Sequence, residues 1–193
     1  MTLDLLEVAG LLIGLLYLWF EYHANPLVWV TSIIMPLISM WIYFHKGLYA
    51  DFAINIYYVA IAIYGYLAWT IRPRSEARAD APALPITHVG IRVAAGCLLA
   101  FALLWGAIYF VLVNFTPSTV PLADAFTTAL SIVALWMMAR KYAEQWLVWA
   151  VVDAVSVGLY IYKDIPFYAL LYTIYTVLAF VGYKKWLRLM AAQ

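Results

Sequence analysis

One carboxylate stands where carboxylates are costly. Asp153 falls near the middle of the apolar run 144–162, and at that depth in a bilayer an ionised side chain costs from about 3 to more than 10 kcal/mol unless it is paired or wet. Two indoles precede it, Trp146 and Trp149. The positions 146, 149 and 153 are i, i+3 and i+7, so on a helix both rings and the carboxylate share one stripe. Such a stripe suits a flat cation. An aromatic face attracts a cation by about 0.5 to 2 kcal/mol when desolvated, and low dielectric strengthens the pull of the carboxylate. The plainer alternatives are a protonated Asp hydrogen-bonded to a neighbouring helix and indoles in an interfacial aromatic belt, a reading that suits Trp146 better than the deeper Trp149.

Other polar side chains at depth are Asn55 and Tyr58 in the run 49–70 and Tyr172 in the run 166–187, each able to hydrogen-bond a ligand. Tyr57, Tyr64, Tyr168 and Tyr175 share those runs, and packing or interface anchoring explains any one tyrosine equally well. Pro36 interrupts the run 26–45 and is expected to kink it, freeing a carbonyl and making a pivot. Glu21 and Glu144 lie near helix ends, Glu144 beside Arg140 and Lys141, and read as gate or interface salt bridges. Glu7 and Asp124 fall in first turns, where a carboxylate complements the helix dipole. Cys97 sits among Ala and Leu as a small core residue. The three histidines, 23, 45 and 88, lie at run ends without ligand spacing, and no nucleophile elbow, phosphate loop or zinc motif occurs. The expectation is no catalytic residue, no metal and no cofactor.

These residues need a scaffold, and composition names its solvent. At 68% apolar and 11% charged, with mean hydropathy +0.92, the chain carries too much continuous hydrophobicity for a soluble core. A formal net charge of +1 gives no reason to expect a nucleic-acid partner. Spans of about 20 apolar residues divide the chain into helices expected near 3–22, 26–45, 49–70, 88–114, 121–139, 144–162 and 166–187, an all-α integral membrane protein of seven transmembrane helices. The stretch Arg72 to Thr87 has three prolines and mixed charge and suits a surface linker. The first helix lacks a basic leader and a small-residue cleavage site, so it is expected to remain in the protein.

The chain also repeats itself. Setting each residue against the one 117 positions later pairs Leu18-Trp19 with Leu135-Trp136, Trp29 with Trp146, Tyr43 with Tyr160, Lys46 with Lys163, Tyr58 with Tyr175, Gly65-Tyr66 with Gly182-Tyr183 and Trp69 with Trp186. Membrane composition supplies chance Leu and Ala matches, but not several Trp, Tyr and Gly in one ungapped register. Three helices end on the opposite side from their start, so a second triplet needs one extra span to point the same way. The helix at 88–114 has no repeat partner and is that span. The organisation is therefore a first repeat over 1–70, a cytoplasmic linker over 71–87, a connecting helix over 88–114 and a second repeat over 121–187, in a 3+1+3 parallel arrangement. Within it the halves differ: Pro36 stands where the second half has Asp153. Arg72, Arg74, Arg78, Arg140, Lys141, Lys184, Lys185 and Arg188 fall on one face, against Lys46 and Lys163 on the other. The positive-inside rule then puts the C-terminus in the cytoplasm and the N-terminus outside.

Several short segments resemble one family. Gly47-Leu48-Tyr49-Ala50, Tyr64-Gly65-Tyr66-Leu67-Ala68-Trp69, Leu130-Ser131-Ile132-Val133-Ala134, Arg140-Lys141-Tyr142 and Trp146-x-x-Trp149 are together similar to the Pnu vitamin transporters, the PnuC-like family. The resemblance spans nearly the whole chain. It implies a SWEET-like seven-helix core in a bacterial inner membrane, and a facilitator that passes an unphosphorylated vitamin down its gradient to an intracellular vitamin kinase that traps it. Where nicotinamide riboside transporters of the family typically have Asn, four residues after the second Trp, this chain has Asp153. Gly47-Leu48-Tyr49-Ala50-Asp51-Phe52 with Asn55-Ile56-Tyr57-Tyr58 looks closer to the thiamine-transporting PnuT branch.

The expected function is facilitated uptake of a B vitamin, thiamine first because its thiazolium charge and aminopyrimidine suit a carboxylate beside indoles. Nicotinamide riboside is the alternative within the family, followed by riboflavin. The site residues are Trp146, Trp149, Asp153, Asn55, Tyr58 and Tyr172, and the gating residues Pro36, Glu21 and Glu144. The substrate would lie near the midplane while two three-helix bundles rock about it. Partners are the vitamin and the lipid bilayer, and a homo-oligomer is compatible with the sequence. From another class, an intramembrane enzyme or a non-transporting subunit stays open, though no two acid-base groups share a helix face at depth.

Overall fold

The computed structural model describes residues 14, 16–45, 49–71, 84–164 and 166–193, side chains at 35, 42, 43, 49–51, 53 and 167 excepted. The described residues form helices joined by turns and, before the fourth helix, one short extended segment. α1 covers helical residues 16–22, α2 Leu27–His45, α3 Tyr49–Thr70, α4 Ile91–Phe115, α5 Pro121–Ala139, α6 Gln145–Tyr162 and α7 Pro166–Ala191. Most boundaries fall where prolines, caps and apolar runs set them. The expected start of the first helix near residue 3, Glu7, Lys46 and most of the linker lie outside the described residues.

The helices group into two compact units, Met1–Pro85 and Ile86–Ala192. In the first, α2 packs on α3; in the second, α4 packs on α5, α5 on α6 and α6 on α7. Three helices, α4, α5 and α6, are long and apolar enough to cross a membrane. At about 1.5 Å per residue the 25 residues of α4 exceed the roughly 30 Å hydrocarbon core. No α4 side chain is buried, so its Leu98, Leu99, Leu103 and Phe110 are exposed apolar surface that a bilayer would satisfy.

The 117-residue repeat reappears in backbone geometry. α1 ends at Ala24, whose φ of 50° is left-handed, and the counterpart residue Lys141 ends α5 with φ 54°. The amide of Asn25 donates to the Phe20 carbonyl at 2.8 Å, as Tyr142 does to Met137 at 3.0 Å. Ala24 donates to Glu21 at 3.0 Å, as Lys141 does to Met138 at 2.9 Å. Both turns are the helix-ending arrangement in which a left-handed residue lets two amides reach back to orphan carbonyls. Asn25 then caps α2 through its Oδ1, 2.9 Å from the Leu27 amide.

The helix packing repeats as well. Trp29 of α2 meets Trp69 of α3 edge to face at 5.5 Å and 85°, and Trp146 of α6 meets Trp186 of α7 at 5.9 Å and 84°. A glycine admits each ring. A Cβ added to Gly65 would lie 2.3 Å from the Trp29 indole, and one added to Gly182 would lie 2.6 Å from the Trp146 indole.

Two ends differ from expectation. α4 begins at Ile91 rather than 88 because the preceding segment is held extended. Thr87 exchanges backbone hydrogen bonds with the α5–α6 turn, its amide donating to the Lys141 carbonyl at 3.1 Å and its carbonyl accepting from Ala143 at 3.0 Å. α7 continues to Ala191, past the apolar run, with Arg188 in the last turn, where a cation complements the helix dipole.

Candidate functional site

The stripe expected on α6 is one surface of the α6–α7 seam. Trp146 opens it, buried to 4% exposure against Gly182 and Trp186. Asp153, two turns on, is 7% exposed. No hydrogen bond or ion pair to it occurs among the described residues. Tyr172 and Tyr175 of α7 lie close enough to feel its charge. Two turns further, Tyr160 stacks on Tyr168 at 5.1 Å and on Tyr172 at 5.2 Å. The carboxylate thus lies between an indole layer at one end of the seam and a tyrosine layer at the other.

Polar groups along this seam are under-satisfied. Among the described residues, the indole N–H groups of Trp146 and Trp149 are buried without an acceptor, as is that of Trp29, the counterpart of Trp146. A buried donor without a partner costs about 1–3 kcal/mol. Trp149 is itself half-buried, one turn before Asp153. A ligand that brings a positive charge and an acceptor would answer both deficits in the second unit.

The second unit therefore brings together Trp146, Trp149, Asp153 and Tyr172. Asn55 and Tyr58 belong to α3 of the first unit, Asn55 buried and Tyr58 half-buried with its ring 5.8 Å from that of Tyr57. They are the repeat counterparts of Tyr172 and Tyr175, so each unit carries polar side chains at the same two steps of its last helix. Tyr175, near Asp153, is not among the site residues expected from the sequence. The signal for it was present, since Tyr58 maps onto it at the 117 offset.

The gating residues take distinct places. Pro36 lies half-buried inside α2, which runs unbroken from Leu27 to His45, and it lacks the N–H that would reach the Ser32 carbonyl. Glu21 is buried in the last turn of α1 beside Tyr17. Among the described residues Glu144 hydrogen-bonds His88, 2.5 Å from Nδ1, rather than pairing with its neighbours Arg140 and Lys141. Its other oxygen accepts the Val89 amide at 2.9 Å. It fastens the approach to α4. In the same turn the Lys141 side chain is buried, which lowers its ammonium pKa to about 8. Asp124, in the first turn of α5, accepts from the Ser118 hydroxyl at 2.8 Å and pairs with Lys163 at 3.0 Å.

Two grooves flank this frame. One of about 400 Å³ is walled by Trp105, Leu122, Phe126 and Val155, and one of about 380 Å³ runs past Cys97, Phe101, Met137 and Val148 with Glu144 at its edge. Both are almost wholly apolar, and neither is lined by Trp146, Trp149 or Asp153. No cluster of His, Cys, Asp or Glu that could hold a metal occurs among the described residues.

A family model described as nicotinamide mononucleotide transporter matches residues 4–188. The chain is 26% identical over 210 residues to the nicotinamide riboside transporter PnuC of Escherichia coli, across 96% of this chain and 86% of that protein. It is 25% identical over 186 residues to the riboflavin/roseoflavin transporter RibM of Streptomyces davaonensis, across 93% of this chain and 83% of that one. The crystal structure of the vitamin B3 transporter PnuC matches with a TM-score of 0.67 at 22% identity, over 93% of this chain and 79% of that chain. At that identity the match shows a shared fold.

Proposed function

The chain belongs to the nicotinamide mononucleotide transporter family, that of the PnuC-like vitamin transporters, and from that premise we propose that it is a facilitator for a positively charged B vitamin, thiamine before any other. The family makes it a multi-pass membrane transporter. The observation that carries the choice of substrate is Asp153, a buried carboxylate with no cationic partner among the described residues, on the same stripe as two indoles. A permanent cation would neutralise it without moving a proton, and an aromatic ring would stack on an indole such as Trp149. Tyr172 and Tyr175 supply hydroxyls on the same seam, and Asn55 and Tyr58 stand at the counterpart positions of α3.

The same reading gives the transport cycle. Two parallel triplets joined by α4, in the 3+1+3 order, rock about a midplane site, and the shared turns and Trp-Gly-Trp packing of the two units support treating them as repeats. The excess of Arg and Lys on one face puts the C-terminus in the cytoplasm. There a kinase would trap the product. The named relatives are transporters.

A second reading rests on the relatives' names. Nicotinamide riboside is the cargo named for the Escherichia coli protein, and it too is cationic, so Asp153 admits it.

Tryptophan-fluorescence titration of the purified protein with thiamine, nicotinamide riboside and riboflavin separates these. Saturable quenching by thiamine, weakened at least tenfold in Asp153→Asn, is the expected result, since losing one member of a desolvated charge pair costs about 2–5 kcal/mol. Saturation by nicotinamide riboside alone would move the substrate to the second reading. An unchanged affinity in Asp153→Asn would remove the site.

A further inference from the structure

We propose that Tyr160 is a positioning residue for the vitamin site, wedged so that it fixes the ring of Tyr172 on the seam that carries Asp153. The inference rests on the transport reading above and extends it to a residue outside the expected site.

Tyr160 stands seven residues after Asp153, on the same side of α6. On α7, Tyr168 and Tyr172 are four residues apart, one above the other. The ring of Tyr160 lies 24° from the plane of Tyr168 and 18° from that of Tyr172, with centroids 5.1 and 5.2 Å away. One ring from α6 is therefore stacked on two from α7. Tyr172 is braced again by Tyr175, edge-on at 5.8 Å and 72°. With a stacked ring on one contact and an edge on another, Tyr172 loses its rotamer freedom before any ligand arrives. Its hydroxyl is then held in place rather than ordered at the expense of binding.

The wedge belongs to the half that has the carboxylate. At the repeat positions of Tyr160, Tyr168 and Tyr172 the first half carries Tyr43, Asp51 and Asn55. Three tyrosines cannot stack there, and there the position of Asp153 is filled by Pro36. A stack kept only for packing the last two helices would serve both halves equally, as the Trp-Gly-Trp packing does.

The test is a double-mutant cycle on thiamine and nicotinamide riboside binding, read by titration of the full-length protein. Tyr160→Phe keeps the stack and loses only the hydroxyl that reaches Tyr172, so it should weaken binding less than Tyr160→Leu does. Tyr160→Leu should weaken binding about tenfold. In a Tyr172→Phe background, where the positioned hydroxyl is already gone, Tyr160→Leu should change affinity less than twofold. A full tenfold loss in that background, or none in the wild-type background, overturns the proposal. Should Tyr160→Leu fail to fold, Tyr168→Leu removes the outer ring, half exposed in the fold, and must show the same dependence on Tyr172. Asp153→Asn runs alongside. If it loses binding while Tyr160→Leu does not, the positioning role alone fails; if wild type binds neither vitamin, both this inference and the transport reading fail.

Discussion

A missing methyl group at Gly182 is what lets Trp146 sit where it does. The indole occupies the space a side chain would take, with a hypothetical Cβ 2.6 Å from its ring, and Gly65 repeats the arrangement with Trp29 at 2.3 Å. Adding that carbon must push the ring or part the helices, and overpacking of this kind costs about 1–3 kcal/mol. Gly182→Ala and Gly65→Ala should therefore each lower the melting temperature in detergent, by similar amounts because the geometry is shared. Trp146→Phe should recover part of the loss in Gly182→Ala, since the smaller ring leaves room. A Gly182→Ala protein as stable as wild type would show that the seam yields freely. At this scale the sequence was informative about what and not about where. Spacing placed Trp146, Trp149 and Asp153 on one stripe, because helical periodicity is local. It could not show that the stripe meets α7, that Trp146 is committed to Gly182, or that Tyr175 lies near Asp153, because those are choices of which helix faces meet.

Elements were legible wherever their ends are set locally. α3 and α5 begin and end as expected, and α2 and α6 start within one residue, since Pro26, Pro121 and the polar turns mark them without help from distant parts. α4 is the exception that shows the limit. Apolar periodicity alone extends its helix back to 88, but the segment before Ile91 is held by residues about 55 positions away: the Thr87 pairing with the α5–α6 turn, and Glu144 on His88 and Val89. The extended segment satisfies amides that would otherwise be orphans of the helix start. Glu144→Ala removes the carboxylate from both contacts at once. It should destabilise the attachment by about 1–2 kcal/mol, allowing for the exposure of His88. Hydrogen exchange should then quicken about tenfold over residues 86–94 while the α6–α7 seam keeps its protection. Unaltered exchange there would mean the Thr87 pairing suffices, and would leave Glu144 without the fastening role.

The whole molecule is two units built on one plan and then differentiated in the side chains of matching helices. Turn hydrogen bonds, left-handed residues and Trp-Gly-Trp packing are common to both, whereas Asp153 faces a tyrosine wedge in one and has Pro36 as its counterpart in the other. Placing the carboxylate in one unit has a consequence for energetics, because it decides how much charge a cycle moves. If Asp153 stays ionised and merely neutralises a bound cation, each cycle carries one net positive charge inward, and the membrane potential drives uptake without a coupling ion. If it exchanges a proton for the cation, the cycle moves none. Since one charge across 100 mV is worth about 2.3 kcal/mol, a carrier that moves the cation alone should accumulate thiamine about fifty-fold in proteoliposomes held at 100 mV, inside negative. Proton exchange without a pH gradient should give no accumulation, and co-transport of one proton should give on the order of two thousand-fold. The fifty-fold plateau is the expected outcome, because among the described residues no basic side chain and no second carboxylate pairs with Asp153 to pass a proton on. A plateau indifferent to potential would assign Asp153 a proton rather than a counter-charge.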